Sequence, residues 1–557
     1  MDHRDSIGVR PSGQLTWETL ARLTLVVGME KKVLGLIVSY ALAMGLFSLI
    51  VPLTVQELVN TFAFAIQPIM VVTLVMIMAT TLMFIGALQV LQTRSVEILN
   101  QRLYTRIALG LTKQLPRFKD EDFSSKYVNY FFEAEQMTRA FAAMLVDLIN
   151  ITVGGTVGMT LLIFYHPYFL IFDVVLLAGF VTIITILSRG GLRVTAEMNE
   201  RHYQTLNWLQ DISDNLLHFK STTSTPMLLQ KTDAYVHAYI KSRKDRSDIL
   251  HRQYKGSMVW QALGHSGLIG IAGWLLATGQ ITLGQFVASE VIVGRLLMNF
   301  DTIARRLYAV FLLATSLNDL SWLFSLPKDT ETGQRCVALP DPTLNGVRIT
   351  CKDVGFGYPG SPSLFENINM EILPGEKVAI FTNTSTGKTT LARLLAGLYR
   401  PTTGIIRYNG VDLRDADMES LNACRGVVLD SQLTLFEGTL EENITMRRPV
   451  SYQDVRWALR LVELEEEVDA MPLGLKTPVY SRGKSFTSSQ VLKILVARAI
   501  VTRPQVLILD GTLHAIQPLK RETILRRLCS KEEPWSVVFV SNDPSLTAHV
   551  DRRLVVD

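Results

Sequence analysis

Up to about residue 320 the chain returns repeatedly to long apolar runs, and few folds can absorb them. A run of roughly twenty mainly apolar residues crosses a ~30 Å hydrocarbon core as a helix, a form that keeps every backbone hydrogen bond internal. Six such spans are predicted: Val33–Leu53, Pro68–Leu91, Phe141–Tyr165, Pro167–Leu187, Met258–Ala277 and a more polar Leu283–Leu313. Their connections alternate in length and charge. Thr54–Gln67, His166–Pro167 and Thr278–Thr282 hold no Lys or Arg. The first long connection carries Arg94, Arg102, Arg106, Lys113, Arg117, Lys119 and Lys126, and the second is richer still. The positive-inside rule puts both long connections and both ends in the cytoplasm. No cleavable signal pattern is visible in the polar lead through Arg10, so the first run is expected to stay in the membrane.

The later part reads differently. A length of 557 residues exceeds what one hydrophobic core supports and implies several domains. Apolar residues, 48% overall, concentrate in the first part, and the remainder has the balance of a soluble α/β domain. The expected division is a membrane domain over 1–326, a linker over 327–346 that holds Pro327, Pro340 and Pro342, and an α/β domain over 347–557. A formal charge of +4 gives no basis for nucleic-acid binding. Cys336, Cys351, Cys424 and Cys529 have neither CxxC spacing nor His partners, so reduced thiols are expected in place of a metal site or disulfides.

Both long cytoplasmic connections keep a helical spacing of apolar residues, over Ser95–Leu115 and Leu192–Phe219, so the spans are expected to continue as helices beyond the bilayer. Pro116–Phe123 and Trp208–Ser221 are the predicted reversals, with short helices there expected to dock on the soluble domain. The last span holds Glu290, Arg295, Asp301, Arg305 and Arg306, and charge at membrane depth is costly. Either Glu290 lies on a translocation path, or it pairs with Arg295 and the other three belong to a cytoplasmic interface.

Chemistry concentrates in Lys377–Leu391, which reads as a buried strand, a turn and the start of a helix. Gly387 lets the backbone turn, Lys388 is placed to reach β/γ-phosphates, and the Thr389 hydroxyl is placed to ligate Mg²⁺. The helix after the turn aims its first amides at the same anion. This is a Walker A loop, with Thr382 and Ser385 where such loops carry glycine. With VRITCKDVGFGYPG before it, and LFEGTLEENI, ARAIVTRP and VLILD after it, the order and spacing resemble the ATP-binding cassette (ABC) family. The similarity is to its exporters, which fuse six spans to one nucleotide-binding domain and work as dimers. It covers roughly residues 17–557.

The resemblance implies an α-helical membrane domain with long cytosolic extensions, joined to an α/β P-loop nucleotide-binding domain that takes ATP and Mg²⁺. It assigns Tyr358 to adenine stacking, Lys388, Thr389 and Thr390 to phosphate and Mg²⁺, and Asp510 to Mg²⁺ through water. Other positions depart from the family. Gly511 replaces the glutamate that polarises the attacking water, Asn542 the switch histidine, Ser431 the Mg²⁺-sensing glutamine (Gln432 is one position off), and Gln517 the dimer-contact aspartate. The LSGGQ signature becomes Phe486-Thr487-Ser488-Ser489-Gln490, in which Thr487 keeps a hydroxyl. Family members also continue past Arg553–Asp557 with a final helical segment that stabilises the dimer. Phosphoryl transfer to water needs a group that orients the nucleophile. Gly511 accepts no proton and Asn542 does not titrate. Ser488, Ser489, Thr382 and Ser385 add Cβ atoms where phosphate should approach bare backbone.

These departures point to an exporter half-transporter that holds ATP, weakly, without splitting it, and that pairs with an active half-transporter. The FTSSQ signature would also impair the partner's site, so a non-transporting scaffold or nucleotide-sensing regulator is the alternative. An active homodimer is a third reading, with His514 or Asp543 standing in for the missing base. The resemblance places the chain in a bacterial inner membrane with its nucleotide-binding domain in the cytoplasm. The pattern looks like that of bacterial exporters of peptides, proteins or lipids, including type I secretion components, which implies contact with membrane lipid and a periplasmic adaptor. No peptidase domain precedes the spans, so leader cleavage is not expected.

Overall fold

The computed structural model of the chain describes residues 30–64, 68–118, 129–222, 225–326, 337–339, 346–358, 360–382, 387–429, 434–480, 483–511 and 513–556. Most of the predicted linker, residues 119–123 of the first predicted reversal, Ser385 and Ser431 lie outside them. The chain divides into two compact units, Met1–Thr330 and Glu331–Asp557.

The first unit is helical: α1 (Lys31–Phe47), α2 (Ile50–Phe64), α3 (Pro68–Gln114), α4 (Asn129–Tyr165), α5 (Pro167–Leu187), α6 (Gly191–Asp214), α7 (Leu216–Ser221), α8 (Thr225–Ala277) and α9 (Leu283–Ser325). α3 runs without interruption far past its apolar stretch, as the helical spacing over Ser95–Leu115 predicts, whereas the spacing over Leu192–Phe219 falls on α6 and α7, which a turn at Ser188–Gly190 separates from α5. The second reversal is the short α7. Local chemistry sets the other ends. α5 opens on Pro167, whose missing N–H is not needed in a first turn, after His166 Nδ1 accepts from the Tyr168 N–H at 3.2 Å. α9 opens on a capping box, in which the Gln285 N–H reaches Thr282 Oγ1 at 3.2 Å and Gln285 Oε1 takes the Thr282 N–H at 2.9 Å.

The first span differs from its predicted form. It breaks at Ser48–Leu49 and continues as α2 to Phe64, past the predicted end at Leu53. Pro52 has no N–H for the Ser48 carbonyl four residues back, which removes one rung of the helix there. Among the described residues, five stretches are long and apolar enough to cross a membrane: Lys31–Thr61, Pro68–Arg117, Met144–Tyr165, Pro167–Leu187 and Leu283–Ser325. The predicted span Met258–Ala277 forms the end of α8 and is not one of these five; Gln261, His265 and Ser266 dilute its apolar character.

Polar ties cross between these helices. Buried Glu30 takes Arg102 at 2.9 Å and Arg106 at 2.8 Å. Gln92 and Asn150 exchange amide bonds at 2.9 and 3.0 Å. Glu290 does not pair with Arg295. Its Oε1 lies 2.7 Å from His265 Nδ1 on α8. Five residues along a helix turn a side chain about 140° away, so Glu290 and Arg295 face different neighbours.

The second unit begins with β1 (Ile349–Phe356), β2 (Phe365–Ile372), β3 (Lys377–Thr382) and α10 (Lys388–Leu395). β4 (Thr403–Tyr408), β5 (Val411–Asp412), α11 (Met418–Cys424) and β6 (Arg425–Val428) come after it. Next are β7 (Gly438–Thr439), α12 (Leu440–Thr445), α13 (Tyr452–Leu461), α14 (Glu465–Asp469) and β8 (Pro478–Val479). The unit closes with α15 (Ser488–Ile500), β9 (Val506–Asp510), α16 (Pro518–Leu528), β10 (Ser536–Val540) and β11 (Arg552–Val556). A parallel sheet runs β11-β3-β10-β9-β6, beside an antiparallel sheet β2-β1-β4-β5. Side chains of the parallel strands alternate between two cores. Val378, Ile380, Ile508 and Val540 pack with Leu391 and Leu395 of α10, while Ala379, Phe381, Leu509 and Phe539 pack with Leu492 and Val496 of α15. Burial on both faces is why these strands read as continuous apolar runs.

Cys351 and Cys424 are buried free thiols in this unit. Burial pushes the Cys351 thiol from its ordinary 9.0 up to about 12 and that of Cys424 to about 11. Both are neutral and inaccessible near neutral pH, so neither should be alkylated by iodoacetamide at pH 8 until the domain unfolds. Ionisation favours the unfolded chain, so stability should fall as pH rises from 9.0 towards the folded values. Mass mapping of alkylated peptides across a urea series checks the first point and thermal melts above pH 9 check the second; rapid native labelling of Cys351 would contradict the buried β1 placement.

Candidate nucleotide-binding site

β3 sets the position of the site. All six of its residues are buried, and its neighbours in the sheet are β11 and β10. Its parallel register puts Ile380 opposite Val540, and Val540 opposite Asp510 of β9, so the segments leaving β3, β9 and β10 emerge at one edge of the sheet. That edge is where open α/β sheets hold ligands. Gly387 ends the turn after β3 with φ +110°, a left-handed backbone open to glycine, and a Cβ there would run into the Phe365 ring. α10 starts at Lys388, so Lys388, Thr389 and Thr390 form a first turn whose amides have no partner within the helix, an arrangement that suits an anion.

Asp510 is the last residue of β9 and is buried. Among the described residues no cluster of three His, Cys, Asp or Glu exists that would hold a metal unaided. The Thr389 hydroxyl and the Asp510 carboxylate are hard oxygen donors. They suit Mg²⁺, which takes one or two protein ligands and completes its shell with phosphate and water.

Residues 365–514 match the ABC transporter family. The chain is similar to the mycobactin import ATP-binding/permease protein IrtB of Mycolicibacterium thermoresistibile, 29% identical over 56% of this chain and 53% of that protein. It is similar to the transport/processing ATP-binding protein ComA of Streptococcus pneumoniae, 24% identical over 83% of this chain and 64% of ComA. The α-hemolysin translocation protein HlyB of Escherichia coli is 27% identical over 51% of this chain and 40% of its own length. The chain therefore spans about half to two thirds of the length of the first curated relatives it matches. In fold it is similar to a bacterial Atm1-family ABC exporter with ATP bound, at a TM-score of 0.84 and 19% identity over 95% of this chain and 94% of that one. The chain carries an ABC transporter domain on an exporter-type fold. It is an integral membrane protein with that domain towards its C-terminal end.

Within the ABC domain, Tyr358 Oη lies 2.9 Å from the hydroxyl of buried Thr390. The ring stands edge-on to Phe356, at 5.1 Å between centroids, and to Tyr399, at 6.4 Å. The structure thus joins the residue expected at adenine to a hydroxyl expected at phosphate. Thr390 is bonded to the tyrosine, and Lys388 and Thr389, both half-buried, are the Walker side chains left at the helix start.

The departures from the family have a physical form that sequence alone does not show. Gly511 has φ +90°, and its N–H donates to Val540 O at 3.1 Å. Leu513, although it carries a side chain, also has a positive φ of +57°. The segment after Asp510 is therefore turned in a way that a glutamate at 511 would resist. Asn542 supplies a second surprise. The ladder between β3 and β10 reaches the Ser541 N–H, which donates to Ile380 O at 3.0 Å. One residue on, the Asn542 side chain continues it: Oδ1 accepts from the Thr382 N–H at 2.9 Å and Nδ2 donates to Thr382 O at 2.8 Å. An amide side chain imitates a peptide group here. An imidazole does not present donor and acceptor side by side in this way. The oxygen and one N–H group of Asn542 are thus engaged with the Thr382 backbone.

His514 and Asp543, the proposed substitutes for a base, both lie against Arg521 of α16, at 3.2 and 3.9 Å. Asp543 also accepts the Ser545 N–H at 2.9 Å. In the signature stretch Thr487 caps α15, with its Oγ1 3.3 Å from the Gln490 N–H and the Thr487 N–H 3.0 Å from Gln490 Oε1. Ser488 and Ser489 fill the first turn. Beneath them Gln490 Nε2 donates to Glu467 at 3.0 Å, and Lys493, only 1% exposed, donates to the same carboxylate at 2.7 Å. Burial alone would raise the Glu467 carboxyl; the bonds from Lys493 and Gln490 outweigh it and hold the group below its ordinary value. Gln517 sits at the N-cap of α16 without a side-chain bond there.

Sequence reasoning missed the Thr382–Asn542 rung and the Glu467–Lys493 pair. A lysine amid the apolar run of α15 was the one visible signal for the latter. Asn542→Ala should lower the stability of the ABC domain by about 1–2 kcal/mol, since it opens two bonds at a partly exposed site, and Asn542→His should not recover it. Gly511→Ala should cost a similar ~1–2 kcal/mol through its backbone conformation. Thermal melts of the full chain check both, and a Gly511→Ala protein as stable as the parent would refute the left-handed turn.

Proposed function

We propose that the chain is one half of an ABC exporter whose own nucleotide site holds Mg-ATP without hydrolysing it, working in a dimer with a catalytically intact half-transporter. One observation carries this reading: the residue after Asp510 is glycine in a left-handed conformation, so position 511 supplies no carboxylate to orient water. Losing the group that positions the nucleophile commonly lowers such rates by several orders of magnitude. The Asn542 rung supports the same conclusion, because the switch position is built into the sheet. The remaining set, Lys388, Thr389 and Asp510, is one for binding, weakened by the Cβ atoms at Thr382 and Ser385. The six-span arrangement, the inner-membrane location with a cytoplasmic ABC domain, and a periplasmic adaptor of the type I secretion kind belong to this proposal and are supported by the likeness to ComA and HlyB.

A second reading, a nucleotide-sensing or scaffolding subunit that transports nothing, is favoured by the signature geometry. The Thr487 hydroxyl is engaged in capping α15, and serines replace glycines behind it. That face would serve a partner's ATP poorly.

The purified full-length chain, alone in nanodiscs, should show no Mg-ATP turnover above background. A rate abolished by Lys388→Ala would overturn the proposal. The double substitution Gly511→Glu with Asn542→His should fail to create turnover, since both residues are set by local backbone geometry. Equilibrium binding of a non-hydrolysable ATP analogue, lost in Lys388→Ala, should be measurable up to millimolar concentration; its absence would leave the scaffold reading.

A further inference from the structure

α9 carries Arg295 within a stretch apolar enough to cross a membrane. A cation at that depth needs a partner or a cavity. Glu290 is taken by His265, and among the described residues no carboxylate lies within ion-pair reach of Arg295. Arg295 instead lines a pocket of about 130 Å³ together with Asn299, one turn further along the same face. The pocket opens where the first span breaks: Ser48 and Pro52 line it from the α1–α2 junction, and Gly154 lines it from α4. A Cβ built on Gly154 would meet nothing within 4 Å, so the space extends to the helix backbone.

The lining tells what fits. It contains no acidic side chain, a guanidinium with its fork of N–H donors, and an amide. The Ser48 hydroxyl already donates to Gly45 O at 2.7 Å, so its proton is engaged and it adds little to anion binding. The volume equals roughly four water molecules, enough for one carboxylate or phosphate group. Leu296 and its apolar neighbours make the rest of the wall suitable for hydrocarbon. We propose that this pocket binds the anionic head of an amphiphile, a phosphate or carboxylate on an aliphatic chain, with Arg295 as the counter-charge and Asn299 as a second donor.

The pocket lies within the membrane unit and is independent of the nucleotide reading, so its test uses no nucleotide. The full-length chain in zwitterionic nanodiscs should bind radiolabelled dodecyl phosphate saturably in a scintillation-proximity assay. Lauric acid should compete and dodecyltrimethylammonium should not. Inorganic phosphate at the same concentration should not compete either; equal competition would make this a site for free anions and overturn the amphiphile. Arg295→Gln should weaken binding by about tenfold or more, and Arg295→Lys by less, because a charge-assisted fork is lost in the first and only its geometry in the second. Gly154→Leu fills the pocket without touching Arg295 and should abolish binding, which keeps the test decisive if the arginine variant folds poorly. Unchanged affinity in both Arg295→Gln and Gly154→Leu would overturn the site.

Discussion

The second unit depends on how β3 is held at both ends. At the first end Lys377 is buried, and its ammonium donates to the carbonyls of Glu533 and Trp535 while its backbone N–H is taken by Asp551 at 2.9 Å. Burial lowers the lysine's affinity for its proton, and the nearby Cys529, Asp551 and Glu533 partly restore it. At the far end Thr382 is tied by both backbone groups to the Asn542 amide. A strand fixed at both ends between β11 and β10 sets the point at which the chain leaves the sheet at Thr382. The neighbouring ends of β9 and β10 bring Asp510 and Asn542 to the same edge of the sheet as Thr382. A Walker loop needs such a rigid base, because its own contacts with a ligand are mostly backbone amides.

Much of this architecture was legible in the sequence, and the reasons are specific. β3, β9 and β10 have both faces buried, so they appear as unbroken apolar runs, and the turn chemistry of Gly387-Lys388-Thr389 marks the phosphate turn and helix start that come after β3. The helical extension of α3 and the helix α6 were legible because a 3.6-residue spacing continues after the apolar character ends. Helix breaks were harder. Pro52 lies inside a run that hydropathy alone joins into one span, and the break only becomes evident from the carbonyl it leaves without a donor.

Polar pairings at a distance were not legible. Nothing local in Glu290 distinguishes His265 on another helix from Arg295 on its own; the choice is made by which face of α9 meets α8. The same holds for Asn542. As a substitution it reads as the loss of a titratable ring. In the sheet it is a gain, a side chain that adds one more rung to a ladder the backbone has left. Gly511 has the same double character, since the absence of a carboxylate comes with a backbone turn that only glycine takes without strain.

That double character bears on how such a site holds together. A site that had merely lost its reactive groups would keep the backbone of an active one and should accept them back. Here the two positions that the proposed reading ties to hydrolysis are linked through β10: Gly511 donates to Val540 O, and two residues later Asn542 closes on Thr382. Changing either disturbs the strand that sets the other. Of the retained residues, Lys388 and Thr389 begin α10 and Asp510 ends β9, opposite Val540. On the proposed reading, binding and hydrolysis separate in this domain: the groups offered to a nucleotide stand at the start of α10 and the end of β9, while Gly511 and Asn542 are fixed by the strand between them.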